Sequence, residues 1–208
     1  MLDTEVLSQI QRHLIEPVNG GTAWSTLWTP EEVLNYANQR QQKFLKETHA
    51  EVGIAEVAEN AGFQEVTLPD DWLATLAVLR RDENGVYTEL PMADTHQADM
   101  GYGDTDESGV PQVWVDEESP TLTAREIPAP AVAGLLELYY IPMGSEFTGT
   151  GEPSVLADEW VVCGLKWGII ADMLSKVGRG RDDSRIQWAE MRYDMTKEAV
   201  KMILAGWF

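Results

Sequence analysis

Apolar and polar positions alternate with three different periods along the chain. Over residues 4 to 15, Val6, Leu7, Ile10 and Leu14 fall on one side of a helix, which Pro17 and Asn19-Gly20-Gly21 would end. Thr29-Pro30-Glu31-Glu32 is a helix start. The threonine caps a backbone amide, proline at the first position needs no partner, and the glutamate three residues after the cap reaches back to it. Leu34, Ala37, Gln41, Phe44 and Thr48 continue at spacings of three and four, predicting a helix over 30–48. From Glu51 to Gly144 the runs become short and β-rich, with strands predicted at 63–68, 75–81, 86–90, 111–116, 121–127 and 134–141. Asn84-Gly85 reads as a hairpin turn, Ala93 to Met100 as a short helix, and 101–109 and 144–153 as mobile loops.

Two helices close the chain, over 156–177 and about 182–204. In the first, Leu156, Trp160, Cys163, Trp167, Ile170, Leu174 and Val177 form one apolar seam. Beside it runs a stripe of small residues, Gly164, Gly168, Ala171 and Ser175, that would let another helix approach closely. The last helix carries two apolar stripes. One is Ile186, Ala189, Tyr193, Val200 and Ile203; the other is Trp188, Met191, Met195, Ala199 and Met202. Two faces ask for two partners, one inside the fold and one from another subunit, with simple deep burial as the alternative. The expected fold class is α+β: a helical bundle from N-terminal (1–50) and C-terminal (151–208) helices around a central β-rich acidic region (51–150).

Charge sharpens this division. The 208 residues carry 35 acids against 15 bases, a net charge of −20. Residues 156–208 are balanced, eight acids to eight bases, so the excess lies before them, and residues 82–126 hold twelve acids and the one base Arg125. Such a chain lacks the cationic stripe that neutralises phosphates and is repelled by anionic lipid, which argues against tight nucleic-acid binding and against membrane attachment. The N-terminal residues lack the features of a signal peptide, and no uncharged apolar run is long enough for a membrane helix. One cysteine, Cys163, forms no internal disulfide, so a reducing compartment such as a cytoplasm is expected.

Candidate chemistry is sparse. No nucleophile elbow, phosphate loop, dinucleotide motif or paired-histidine zinc motif is present, and His13, His49 and His96 lack ligand spacing. No catalytic, cofactor or metal residue is therefore nominated. Asp104 to Gly109 alternates oxygen donors before a glycine but has Val115 where a calcium loop needs its bidentate glutamate, leaving at most weak cation binding. Arg179 and Arg181, with Arg185 nearby, form a basic cluster suited to an acidic neighbouring subunit, which the acid-rich chain favours, or to a phosphate, with a solvated turn assisting the end of the preceding helix as the alternative. Trp207 and Phe208, after the last helix, read as an anchor into a partner.

The order of short motifs resembles one family. Trp28-Thr29-Pro30-Glu31-Glu32-Val33-Leu34-Asn35-Tyr36-Ala37-Asn38, the strand and turn Glu65-Val66-Thr67-Leu68-Pro69-Asp70-Asp71-Trp72, the late strand Leu136 to Pro142, and the helix start Leu156-Ala157-Asp158-Glu159-Trp160 through Gly164 and Gly168 are similar to those of tailed-bacteriophage adaptor (head-to-tail connector, neck) proteins. The acidic segment 94–119 and the aromatic tail depart from that pattern. The resemblance implies a non-enzymatic virion protein made in the host cytoplasm, located in the neck as a closed ring of about twelve copies. Such a ring joins the portal protein to the tail or nozzle proteins and leaves a channel for DNA. On that reading Trp207, Phe208 and Met202 would bind the portal. Trp188, Met191, Met195, Gly164, Gly168, Arg179 and Arg181 would form the subunit interface, and Asp104, Asp106, Glu107, Asp116 and Glu117 would face the channel, where DNA passes without specific binding. A neck protein with cell-wall hydrolase activity and a tail-completion or baseplate structural protein are the alternatives.

Overall fold

A computed structural model describes residues 1–14, 24, 27–82, 84–94, 96–98, 108–116, 123–176 and 181–206. The chain is an α+β protein with helices towards both ends and strands between them. It divides into a helical unit, Met1–Glu51 with Met143–Phe208, and a β unit, Val52–Pro142.

The helical unit contains α1 (Asp3–Leu14), α2 (Pro30–Thr48), a helix over 158–175 called α3, and α4 (Asp183–Ala205). Local chemistry sets where they start. Thr29 accepts from the Glu32 amide at 3.2 Å while the Glu32 carboxylate accepts from the Thr29 amide at 2.9 Å, completing the expected capping box. Asp182 caps α4 through the Arg185 amide. Helix α1 buries Val6, Leu7 and Ile10 of its predicted face, and α2 buries Ala37, Gln41, Phe44 and Thr48 of its own, with Val33 and Leu45 in addition and Leu34 only half-buried.

Helix α3 departs from its predicted period. A π-helical turn, Val161–Leu165, separates Asp158–Trp160 from Lys166–Ser175. The extra residue shifts the phase of the helix by a fraction of a turn. Of the predicted seam Cys163 is exposed, whereas Leu156, Trp167, Ile170 and Leu174 are buried, joined by Val161, Leu165, Ile169 and Met173. A maleimide or disulfide reagent should label Cys163 in the native protein within minutes and without denaturant. Protection until unfolding would show that the thiol is buried.

Residues 144–153, expected to be a mobile loop, are pinned instead. The buried Asp3 carboxylate accepts from the backbone amides of Thr148, Gly149 and Gly151 at 2.7–3.0 Å. The Asn38 side chain bonds both backbone groups of Phe147, whose ring is buried, and Gln41 donates to the Ser145 carbonyl. Polar residues in this loop satisfy groups inside the unit rather than solvent.

The β unit holds two antiparallel sheets. The strands are β1 (Gly53–Ala58), β2 (Glu65–Thr67), β3 (Trp72–Arg81), β4 (Tyr87–Leu90), β5 (Val113–Asp116), β6 (Thr123–Ile127) and β7 (Leu135–Pro142), ordered β1-β7-β3-β4 and β2-β6-β5. Strands β2 to β7 lie where the sequence pattern placed them. Strand β1 was not anticipated: it is an edge strand whose inner positions are the small or modest Gly53, Ala55 and Val57, while Ile54 points outward. The β3–β4 hairpin forms, with Arg81 opposite Tyr87, so its connection spans 82–86 rather than two residues. Asp82 organises it by accepting from the amides of Asn84 and Val86. Val66, Trp114 and Ala124 from one sheet pack with Val78, Leu90, Leu136 and Leu138 from the other as a shared core. Val113, Val115 and Ile127 pack on the opposite face of the smaller sheet with Ala98, from the helical turn at 96–98.

A buried charged cluster lies in the β unit. Arg80 of β3 donates to both oxygens of the buried Glu59 at 2.6 and 3.1 Å. Gly134 makes room, since a Cβ there would collide with that carboxylate. Glu126 of β6 is fully buried, and among the described residues no donor reaches either of its oxygens. Burial, and then the Glu59 charge, push its carboxyl up to about 8, with Arg80 acting in the opposite direction.

Candidate assembly surface

The surface of interest is built on α4, which is held in place by α2 and α3. Gly164 and Gly168 provide the close approach: a Cβ on Gly164 would meet Thr196 at 2.7 Å, and one on Gly168 would meet Tyr193 at 2.7 Å and Arg40 at 2.8 Å. The small-residue stripe assigned to a neighbouring subunit is thus occupied by the chain's own last helix, because the buried stripe of α4 needs the nearest partner with no side chain in the way.

Arg40 locks the arrangement. It donates to both oxygens of Asp172 on α3 and of Glu190 on α4, and its guanidinium lies 4.7 Å from the centre of the Tyr193 ring. Burial works against the cation, but the bonds to the two carboxylates outweigh it and hold Arg40 charged. Tyr193 is buried against Phe44, and desolvation pushes its hydroxyl up to about 12. Lys197 bridges Glu47 of α2 at 2.8 Å and Asp194 at 3.0 Å.

With Ala189, Tyr193 and Val200 turned inward, the second apolar stripe is left on the surface. Trp188, Met191, Met195 and Met202 are 46, 52, 66 and 71% exposed. Met191, Met195, Ala199 and Met202 line an open groove with Gln187, Glu190, Asp194 and Glu198 along its edge. One helix therefore presents a long apolar strip of flexible side chains, the mark of an interaction surface.

Residues 4–203 match the family described as SU10 adaptor protein. The chain belongs to the SU10 adaptor protein family. No curated protein matches the chain. As a bacteriophage adaptor, it is a structural component of the virion that interacts with other phage head and tail proteins. Among its described residues, no helix is long and apolar enough to cross a membrane and no three metal-ligating side chains converge.

The remaining sequence-nominated residues of the adaptor are dispersed. Arg181 is exposed and pairs with Asp183, two positions along the same chain, at 2.8 Å. Asp116 is half-buried and accepts from Thr75 and Trp114, each at 2.7 Å, so this carboxylate serves the β unit. Arg179, Asp104, Asp106, Glu107, Glu117, Trp207 and Phe208 lie outside the described residues, as does most of the calcium-like loop. Pattern reading missed a basic and aromatic cluster beside Trp188. Trp167 and Trp188 meet edge to face at 4.7 Å, Arg192 lies 4.9 and 5.2 Å from their ring centres, and Lys166 and His13 also approach Trp167. Its clearest sequence signal was the i, i+4 spacing of Trp188 and Arg192; the rest comes from two other helices, His13 from α1 and Lys166 and Trp167 from α3.

Proposed function

We propose that the adaptor forms a closed ring of about twelve copies that joins the phage portal to the tail or nozzle proteins and leaves a channel for DNA. The observation carrying this reading is the exposed Trp188, Met191, Met195 and Met202 strip on a helix whose other side is committed to the chain's own core. In a member of an adaptor family, such a strip is suited to subunit contacts, with Met202 extending it towards the portal-binding tail, Trp207 and Phe208. The acidic segment, including Asp104, Asp106, Glu107 and Glu117, would repel the DNA backbone at the channel, so that the duplex passes without sticking.

Mixing the purified chain with its portal protein and imaging the complex tests this: a ring of adaptor copies on the portal is expected. Deleting residues 205–208 should reduce portal attachment at least about tenfold while the circular dichroism spectrum stays unchanged. A stable monomer that ignores the portal would sink the reading, and unchanged attachment of the deletion variant would remove the anchor role of Trp207 and Phe208.

A further inference from the structure

We propose that α4 carries both halves of a head-to-tail joint between copies of this chain, its acidic flank on one copy seating against the basic, tryptophan-centred flank on the next. The proposal rests on the ring reading only in supposing that copies associate; it specifies which surfaces meet.

The basic flank is defined by unmatched charge. Lys166, buried beneath the surface, donates to the Gln9 side chain; of the two exposed cations, Arg185 donates to the His13 carbonyl and Arg192 lies over the two tryptophan rings. None of the three has a carboxylate within ion-pair reach among the described residues, in a chain with 35 acids. Both neighbouring titratable groups respond to the accumulated cations. His13 is pushed down by burial and then by Lys166, Arg192 and Arg185, and Lys166 is pushed down by burial, with Arg192 adding to it. Trp188, half-exposed at the centre, supplies apolar area and a ring face for the anchor of such a contact.

The acidic flank is Asp194 and Glu198, with the neutral Gln187 beside them, along the groove next to Met191 and Met195. Asp194 and Glu198 are exposed and pair with Lys197 and Lys201 at i, i+3, contacts weak enough to leave them available. At about 100° per residue the two flanks are centred about 150° apart, with the Trp188 and methionine strip between them. Because the flanks carry opposite charge, a two-fold contact through either one would set like against like. A contact that seats the acidic flank of one copy on the basic flank of the next pairs them, and on the ring reading that contact is heterologous and closes when repeated around an axis. The net charge of −20 makes copies repel one another in general, so association needs a local patch of the other sign. The same net charge disfavours DNA as the occupant of that patch.

The test uses the full chain and two variants, Arg185→Glu with Arg192→Glu, and Asp194→Lys with Glu198→Lys, followed by sedimentation and mass photometry. Each variant alone should self-associate about tenfold or more weakly than the unaltered chain. An equimolar mixture should recover assembly, because alternating copies then make joints between two unaltered flanks or between two reversed flanks, each of opposite charge. That recovery also shows that both variants are folded. Wild-type-like assembly of either variant, or a mixture that stays dissociated while both spectra remain native, overturns the proposal and leaves the ring reading standing. An unaltered chain that stays monomeric at every concentration overturns both. Duplex DNA binding that is lost in the Arg185→Glu/Arg192→Glu variant, with assembly untouched, assigns the patch to phosphate instead and overturns the joint.

Discussion

Replacing Arg40 with alanine should destabilise the helical unit by about 3–5 kcal/mol, the cost of removing one partner from a buried ion network. The side chain is almost fully enclosed, and Asp172 and Glu190 would each lose a charge-assisted, two-pronged partner while remaining only partly exposed to water. The aliphatic part of Arg40 also packs against the open face of Gly168, so truncation leaves a void where α2, α3 and α4 converge. Arg40→Lys should recover little of the loss, since an ammonium cannot bond two carboxylates through parallel donors or lie flat on the Tyr193 ring. Urea unfolding gives the magnitude. Hydrogen exchange gives the location: peptides from 158–205 should lose protection while those from β3 and β7 keep theirs. A loss below about 1 kcal/mol would mean that Asp172 and Glu190 are adequately solvated without Arg40.

Glu126→Gln should make the stability of the β unit nearly independent of pH over a range in which the unaltered protein weakens. The folded-state carboxyl is pushed up to about 8 from an ordinary value of 4.5. The folded state therefore holds this proton more tightly than the unfolded chain. Its contribution is fully present below pH 4.5 and is lost as pH rises through about 8, where the carboxylate must ionise in a dry site beside Glu59. Over that interval the melting temperature of the unaltered chain should fall by an amount equivalent to a few kcal/mol. In Glu126→Gln the fall should be largely absent, with the variant the more stable of the two in mildly alkaline buffer. Parallel melting curves across this interval check it; identical slopes for both proteins would place Glu126 in contact with water. Glu59→Gln is a second probe, because removing the Glu59 charge should bring the Glu126 carboxyl back towards its ordinary value, although Arg80 then loses its carboxylate partner.

The chain and its fold agree best where structure depends on residues a few positions apart. Thr29 and Glu32, or Asp182 and Arg185, lie within three residues of each other, so the starts of α2 and α4 were readable from composition alone. The two apolar stripes of α4 were readable for the same reason, as an uninterrupted helix preserves its period over 23 residues. Strand β1 was not, because Gly53 and Ala55 carry little β signal and become a strand by pairing with Tyr140 and Leu138, far along the chain. Neither was the exposure of Cys163, which the π turn moves out of the phase that a regular spacing assigns it, while Trp167, Ile170 and Leu174 of the same seam are buried.

The candidate surface divides along the same line. Sequence alone determined that the last helix has two apolar sides, that the −20 charge lies before it, and that the order of short motifs matches an adaptor. It could not say which apolar side turns inward. That choice is made by Gly164 and Gly168, which admit Thr196 and Tyr193, and by Arg40, whose carboxylate partners lie 132 and 150 residues away. The loop that Asp3 pins 145 residues on and the basic cluster around Trp167 arise in the same way. Periodicity and capping are energies of neighbours in sequence. Burial, ion pairing and the exposure of one helix face are energies of neighbours in space, and only packing brings those neighbours together.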